Sequence, residues 1–300
     1  MKKYIIYQID SFTKSKFKGN PAGVVLNADG LSEKQMQTIA RELNNSETAF
    51  LFHSDDNSCD GVIRYFTPTV EVPTCGHATI AAMYAKAIEE KTDSCTLNIK
   101  TKIGVLPFEV SRFGNNIKIW MTQGNIEIEP PLSQDTQSSL LKYIGILPED
   151  LDGRCPIQIA STGHSKVMVG ITSREQLNKL NPDFHQLKEL SKIINCNGYY
   201  VFTLNSDDPN VLSYGRMFAP AIGINEDPVT GNANGPLGAY LVHNDVVNTG
   251  TDSFSFNGAQ GEAIGRDGIV EVFVSVKDKK PVLVKIGGEA IAIFRTIIEL

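Results

Sequence analysis

The sequence predicts an α+β protein made of two similar halves. Two observations carry this reading: many short strand-like runs with only a few helical ones, and a motif that recurs once along the chain. One copy reads Phe66-Thr67-Pro68, then Thr74-Cys75-Gly76-His77-Ala78-Thr79, then an Ala-rich helix. The other reads Phe218-Ala219-Pro220, then Val229-Thr230-Gly231-Asn232-Ala233-Asn234, then a Gly/Ala-rich helix. Phe66 to Gly76 is ten positions and Phe218 to Gly231 thirteen, so the second copy carries a longer loop. With no GxGxxG opening a first helix and no GxxxxGK[ST], nucleotide folds lose their usual support.

In order, residues 3–10 read as a first strand; Gln8 and Asp10 cut the apolar stretch too short for a signal peptide. Residues 19–23 read as a turn before a strand at 24–26. Ser32 opens a helix with Gln35 at capping-box spacing, and Met36, Ile39, Ala40 and Leu43 line one face. Asn44-Asn45 stops that helix, and 46–52 and 62–66 are strands. A small-residue helix starts at Gly76, followed by strands at 96–99, 105–110 and 117–121. The second half repeats the scheme, with strands at 157–160, 166–169, 199–203 and 212–218 and helices at 174–180 and 184–194. A small-residue helix then runs over 231–242, before strands at 253–256, 270–276 and 282–286.

Composition is ordinary globular: 300 residues, 41% hydrophobic, 21% charged. No window is apolar enough for a membrane span, and a net charge of −6 without a basic run speaks against nucleic acid. Five scattered cysteines with no CxxC pair indicate neither a disulfide framework nor a zinc site, and no metal is expected. Reduced thiols fit a cytoplasmic protein.

Each repeat places a glycine at the head of a small-residue helix. A helix N-terminus presents unpaired N–H groups and a partial positive charge, so Gly76 and Gly231 suit a carboxylate or a developing enolate. The bland alternative is tight helix packing. Glu47, in Ser46-Glu47-Thr48-Ala49-Phe50, heads an apolar strand, an uncomfortable place for a charge and a useful one for a general acid/base; a solvated edge residue is the alternative. His77 falls in the first helical turn, as proton donor or as core residue. Asp227 lies among the extra residues of the second repeat, either orienting His77 or contacting a substrate amine or hydroxyl, or serving only as a turn residue before Pro228. Cys75 is matched in the repeat by Thr230, so the second thiol of a two-cysteine racemase is missing, and Cys75 reads as a packed residue.

Five stretches, in order, resemble the PhzF-like family of phenazine biosynthesis: Gly19-Asn20-Pro21-Ala22-Gly23-Val24, Ser46-Glu47-Thr48-Ala49-Phe50, Arg64-Tyr65-Phe66-Thr67-Pro68, Cys75-Gly76-His77-Ala78-Thr79, and Phe218-Ala219-Pro220 through Glu226-Asp227-Pro228-Val229-Thr230-Gly231. The resemblance implies the diaminopimelate epimerase-like fold: two similar domains, each a barrel-like antiparallel sheet around a central helix, with an active site in the cleft between them. The halves would be 1–116, completed by 287–300, and 117–286. It also implies a homodimer and a cofactor-independent isomerase acting on a small carboxylate-bearing substrate. By motif, Glu47 matches the acid/base and His77 and Asp227 the assisting residues; Asn20, Gly76, Thr230, Gly231 and Asn232 fall at the substrate. One departure stands out. The phenazine enzymes resemble Thr-Gly-Ser where this chain has Asn232, which changes size and donor pattern beside the substrate. An amino-acid racemase or epimerase on the same fold, and a non-catalytic small-molecule binder, are the rival readings.

Overall fold

The first strand, Lys3–Ser11, is buried over most of its length and pairs antiparallel with Asn20–Val25. The computed structural model describes residues 1–56, 58–249 and 252–300. The chain divides into two units, Met1–Thr122 with Gly287–Leu300, and Gln123–Ile286. The division falls after Thr122 rather than after residue 116, because Asn116–Thr122 pairs back along Gly104–Phe113 from Asn116↔Phe113 to Met121↔Phe108.

In the first unit, Asn20–Val25 runs parallel to Thr48–Phe52, which is antiparallel to Gly61–Phe66. That strand is parallel to Cys95–Thr101, and antiparallel hairpins continue through Gly104–Phe113 to Asn116–Thr122. The last strand, Lys280–Glu299, pairs with Asn116–Thr122 and, from Lys3↔Glu299 to Ser11↔Ala290, with the first strand. Among the described residues these eight strands close a ring. The sheet is thus mainly antiparallel, with two parallel pairs.

The Gly76–Glu89 helix lies against five of these strands, and most of its residues from Gly76 to Ala87 are buried. A helix apolar on all sides needs a core on all sides, which the ring supplies. Outside the ring, Glu33–Leu43 lays Met36, Ile39 and Ala40 on a cluster with Tyr4, Ile6, Val25, Phe50 and Phe66. Its start is the capping box of Ser32 and Gln35, and Asn44 ends it in the left-handed conformation at φ 53°.

The second unit follows the same order of partners. Glu127–Pro131, Gln158–Ser161 and Lys166–Ile171 are successively antiparallel; Lys166–Ile171 is parallel to Tyr199–Thr203. Ser213–Ala219 is antiparallel to that strand and parallel to Ser253–Gln260, which pairs with Gly268–Lys277. The Gly231–His243 helix is the buried counterpart of Gly76–Glu89. On the other side of the sheet, Gln134–Ile144 and Phe184–Ile194 cover Val167, Val169, Tyr199 and Val201.

The repeat extends beyond the motif. Arg64 and Arg216 each stand two residues before the motif phenylalanine, with the guanidinium 5.2 Å from the Phe66 ring and 5.0 Å from the Phe218 ring. Each grips a glutamate five positions ahead of the helix glycine, Glu71 and Glu226, through both carboxylate oxygens. The longer loop of the second copy is therefore absorbed by the Pro220–Ile222 turn. Asp227 does not belong to the extra residues; it is the counterpart of Val72.

Candidate active site

In the first unit the chain leaves the Glu33–Leu43 helix at Asn44 and reaches the next strand only at Thr48, so Glu47 sits just ahead of the strand and not within it. Two devices hold this short connection. Asn45 and Gln8 exchange reciprocal amide hydrogen bonds of 2.9 Å, and the Gly23 N–H donates to the Glu47 carbonyl at 3.3 Å. Glycine at 23 permits this close approach; a Cβ would lie 2.7 Å from Leu43 Cδ1 and 2.8 Å from Thr48 Oγ1 and would force those side chains to shift.

The Glu47 carboxylate, 15% exposed, places Oε2 3.4 Å from Nε2 of His77. Ser46 Oγ is 3.2 Å from the same nitrogen. On the other edge of the ring, Cys75 Sγ lies 3.4 Å from Nδ1. The Ser11 hydroxyl donates to the His77 carbonyl at 2.8 Å, and Asn20, buried, is the strand partner of Ser11. Asn20, Glu47, Gly76 and His77 therefore gather at one helix start. Glu47, Cys75 and His77 could each offer a ligand atom, all within 4.8 Å of one another. The thiol lies nearest Nδ1 and the carboxylate nearest Nε2 of the same ring. An imidazole set between a carboxylate and a thiol can hand a proton from one edge of the ring to the other.

The second unit builds its helix start from a buried amide network. The Thr230 hydroxyl donates to Asp227 Oδ2. Gln260, 2% exposed, accepts from the Thr230 N–H at 3.0 Å and donates to the Asp227 carbonyl at 2.8 Å and to Thr230 Oγ1 at 3.0 Å. Asn234 Nδ2 donates to the Thr230 carbonyl at 3.0 Å and to Gln260 Oε1 at 3.2 Å, and Tyr200 donates to Asn234 Oδ1 at 3.0 Å. Burial pushes the Tyr200 phenol up, which keeps it a donor. Asp227, Thr230, Gly231 and Asn232 thus share one helix start, with Asn232 half-buried in its first turn. Nearby strand residue Lys166 is buried; desolvation pushes its ammonium down while Asp227 pulls the other way.

Sequence reasoning missed Ser46, Gln260, Asn234 and Tyr200, and read Cys75 as packing alone. Ser46 and Asn234 lie inside quoted motifs and were within reach. Gln260 was not, because only the parallel register Gly215↔Gln260 brings it to Thr230. In neither unit does the N-cap side chain cap the backbone amides of its helix; Cys75 turns to the His77 ring and Thr230 to Asp227.

Two strand series that follow the same order of partners around buried helices, each helix headed by glycine beside a titratable side chain, define the diaminopimelate epimerase-like fold class. The sequence matches the profile of the PhzC-PhzF, or phenazine biosynthesis-like, protein family over residues 9–296, and the chain belongs to that family. It is 57% identical over 296 residues to an uncharacterized isomerase of Clostridium acetobutylicum, covering 99% of this chain and 98% of that one. It is 33% identical over 301 residues to the trans-2,3-dihydro-3-hydroxyanthranilate isomerase of Pseudomonas chlororaphis, covering 100% of both. The crystal structure of a Bacillus anthracis PhzF-family phenazine biosynthesis protein superposes with a TM-score of 0.88 at 32% identity over 100% of both chains. A hydroxyproline epimerase from Agrobacterium vitis, at 14% identity and a TM-score of 0.62 over 99% of this chain and 93% of that one, shares the fold alone. The chain is an isomerase of this family. Among the described residues no helix is long and apolar enough to cross a membrane.

Proposed function

We propose that the chain moves a proton between carbons of a small carboxylate-bearing substrate, with Glu47 removing and returning it. The observation that carries the reading is the Glu47–His77 pair, 3.4 Å apart at the head of a buried helix. The carboxylate is largely shielded from bulk water, and the imidazole beside it can share or relay a proton. Removing a proton next to an unsaturated acid leaves negative charge, which the positive end of a helix stabilises. Gly76 and Gly231 supply such backbone donors. In the first unit Asn20 stands by the strand that carries Ser11 to this helix start; in the second, Asp227, Thr230 and Asn232 surround the helix start that Gly231 heads. Acid/base chemistry of this kind draws on no metal or organic cofactor.

The full-length relationship to a trans-2,3-dihydro-3-hydroxyanthranilate isomerase supports a cyclic, amino-acid-like substrate. Asn232, where the phenazine enzymes resemble serine, points to a ligand with different donor needs at that position. The test is solvent exchange. Wild-type protein, incubated in heavy water with dihydro-hydroxyanthranilate and a panel of cyclic unsaturated amino acids, should incorporate deuterium into at least one. Glu47→Gln should keep the fold and slow incorporation by roughly 10²–10⁴-fold. Undiminished exchange in that variant removes Glu47 from the mechanism.

A further inference from the structure

We infer that Cys75 is a positioning residue whose thiol holds His77 in the tautomer that carries its proton on Nε2. The inference deepens the reading of Glu47 and His77 given above and rests on it. A neutral imidazole has one N–H and one lone pair, and the partner of one nitrogen decides the state of the other. An ionised carboxylate only accepts, so any hydrogen shared between Glu47 and His77 sits on Nε2. Ser46, on the same nitrogen, can donate or accept and cannot decide the matter. Nδ1 must then present its lone pair, and the neighbour it meets is the Cys75 thiol at 3.4 Å, which can donate.

The Cys75 backbone is held in place. Thr79 Oγ1 donates to the Cys75 carbonyl at 2.6 Å, and the Tyr65 hydroxyl, 2.6 Å from the same Thr79 oxygen, backs it. Cys75 itself is 7% exposed. The repeat supplies an independent argument. An N-cap residue ordinarily turns its side chain to the first-turn amides of its own helix. Here both N-caps forgo that bond, and each engages the titratable side chain nearest its helix start, Cys75 with His77 and Thr230 with Asp227. In both units the N-cap side chain is thus spent on orienting a titratable neighbour.

The tautomer can be read directly from long-range ¹H–¹⁵N correlation spectra of protein labelled on its five histidines, with His77→Gln identifying the signals. The wild type should show Nε2–H and an unprotonated Nδ1. Cys75→Ala should give a mixture of tautomers and a substrate exchange rate lower by about fivefold, the size of one weak hydrogen bond. Cys75→Ser, which keeps a donor in place, should restore the Nε2–H form and most of the rate. A wild-type spectrum with the proton on Nδ1, or a Cys75→Ala variant unchanged in both spectrum and rate, overturns the inference. The spectrum needs no substrate, so it separates this result from the Glu47→Gln exchange test: either can fail while the other stands.

Discussion

Replacing Arg216 by alanine should cost the second unit far more than replacing Arg64 costs the first, although the two residues are repeat equivalents. The Arg216 side chain is 8% exposed, and its Nε and Nη2 reach the two oxygens of Glu226 at 2.9 and 2.7 Å. Its Nη1 donates to the carbonyls of Leu177 and Leu180 at 3.1 and 2.8 Å, closing the end of the Arg174–Lys179 helix. Alanine would leave a shielded carboxylate and two carbonyls to find other partners. Breaking a buried pair in this way costs about 3–5 kcal/mol. Arg64 is 27% exposed, and Glu71 is also held by Lys102 at 2.6 Å, so Arg64→Ala leaves that anion a partner and should cost about 1 kcal/mol. Urea unfolding separates the two cases. Trp120, the one tryptophan, reports on the first unit, and hydrogen exchange resolved by peptide reports on both. Arg216→Ala should lower the midpoint of the second unit by roughly 2 M and leave the tryptophan transition closer to its wild-type position. An equal or larger loss in Arg64→Ala would refute the reasoning from burial and partner count.

The tie between the Gly76–Glu89 helix and the last strand should respond to acid. Hydrogen bonds from Arg295 and from Tyr7 hold the Glu89 carboxyl down at about 2. A depressed carboxyl stabilises fully above the ordinary carboxylate range and loses that contribution as pH falls toward 2, so melting temperature should drop through this window and drop less in Glu89→Gln. A parallel fall in both proteins would show that Glu89 does not carry the effect. In the second unit, Gln260→Leu strips partners from the Thr230 N–H, the Asp227 carbonyl and Asn234 together. It should destabilise by about 2–4 kcal/mol in thermal unfolding, with faster amide exchange at the head of the Gly231–His243 helix; unchanged exchange there would mean the network is not what holds Thr230.

Much of this was legible in the sequence because it is written locally. The capping box at Ser32, the stop at Asn44, the apolar run after Glu47 and the two glycine-headed helices are all signals confined to a few neighbours. The strand read as beginning at residue 24 starts at Asn20, because the connection is complete at Gly19, at φ 63°, and Asn20 and Pro21 already pair with Ser11 and Asp10. The strand read from 46 starts at Thr48, which frees Glu47 to turn toward His77. The Gln134–Ile144 helix escaped notice because Leu140, Leu141 and Ile144 put its buried residues in one final stretch, too short to show a period. What no local pattern could carry was register. The parallel pairs, the approach of Gln260 to Thr230, and the reach of Arg216 to the Leu177 and Leu180 carbonyls depend on distant segments meeting.

The strand Lys280–Glu299 belongs to both units, leaving the second at Ile286 and entering the first at Gly287. On the ribosome this imposes an order of events. Lys3–Ser11 emerges well before the segment that covers one of its edges, which is made only after the whole of Gln123–Ile286. At ordinary synthesis rates that interval is roughly ten to thirty seconds, during which the nascent first barrel stands open along one seam. The second unit has its own residues complete by Ile286 and can assemble while the first waits.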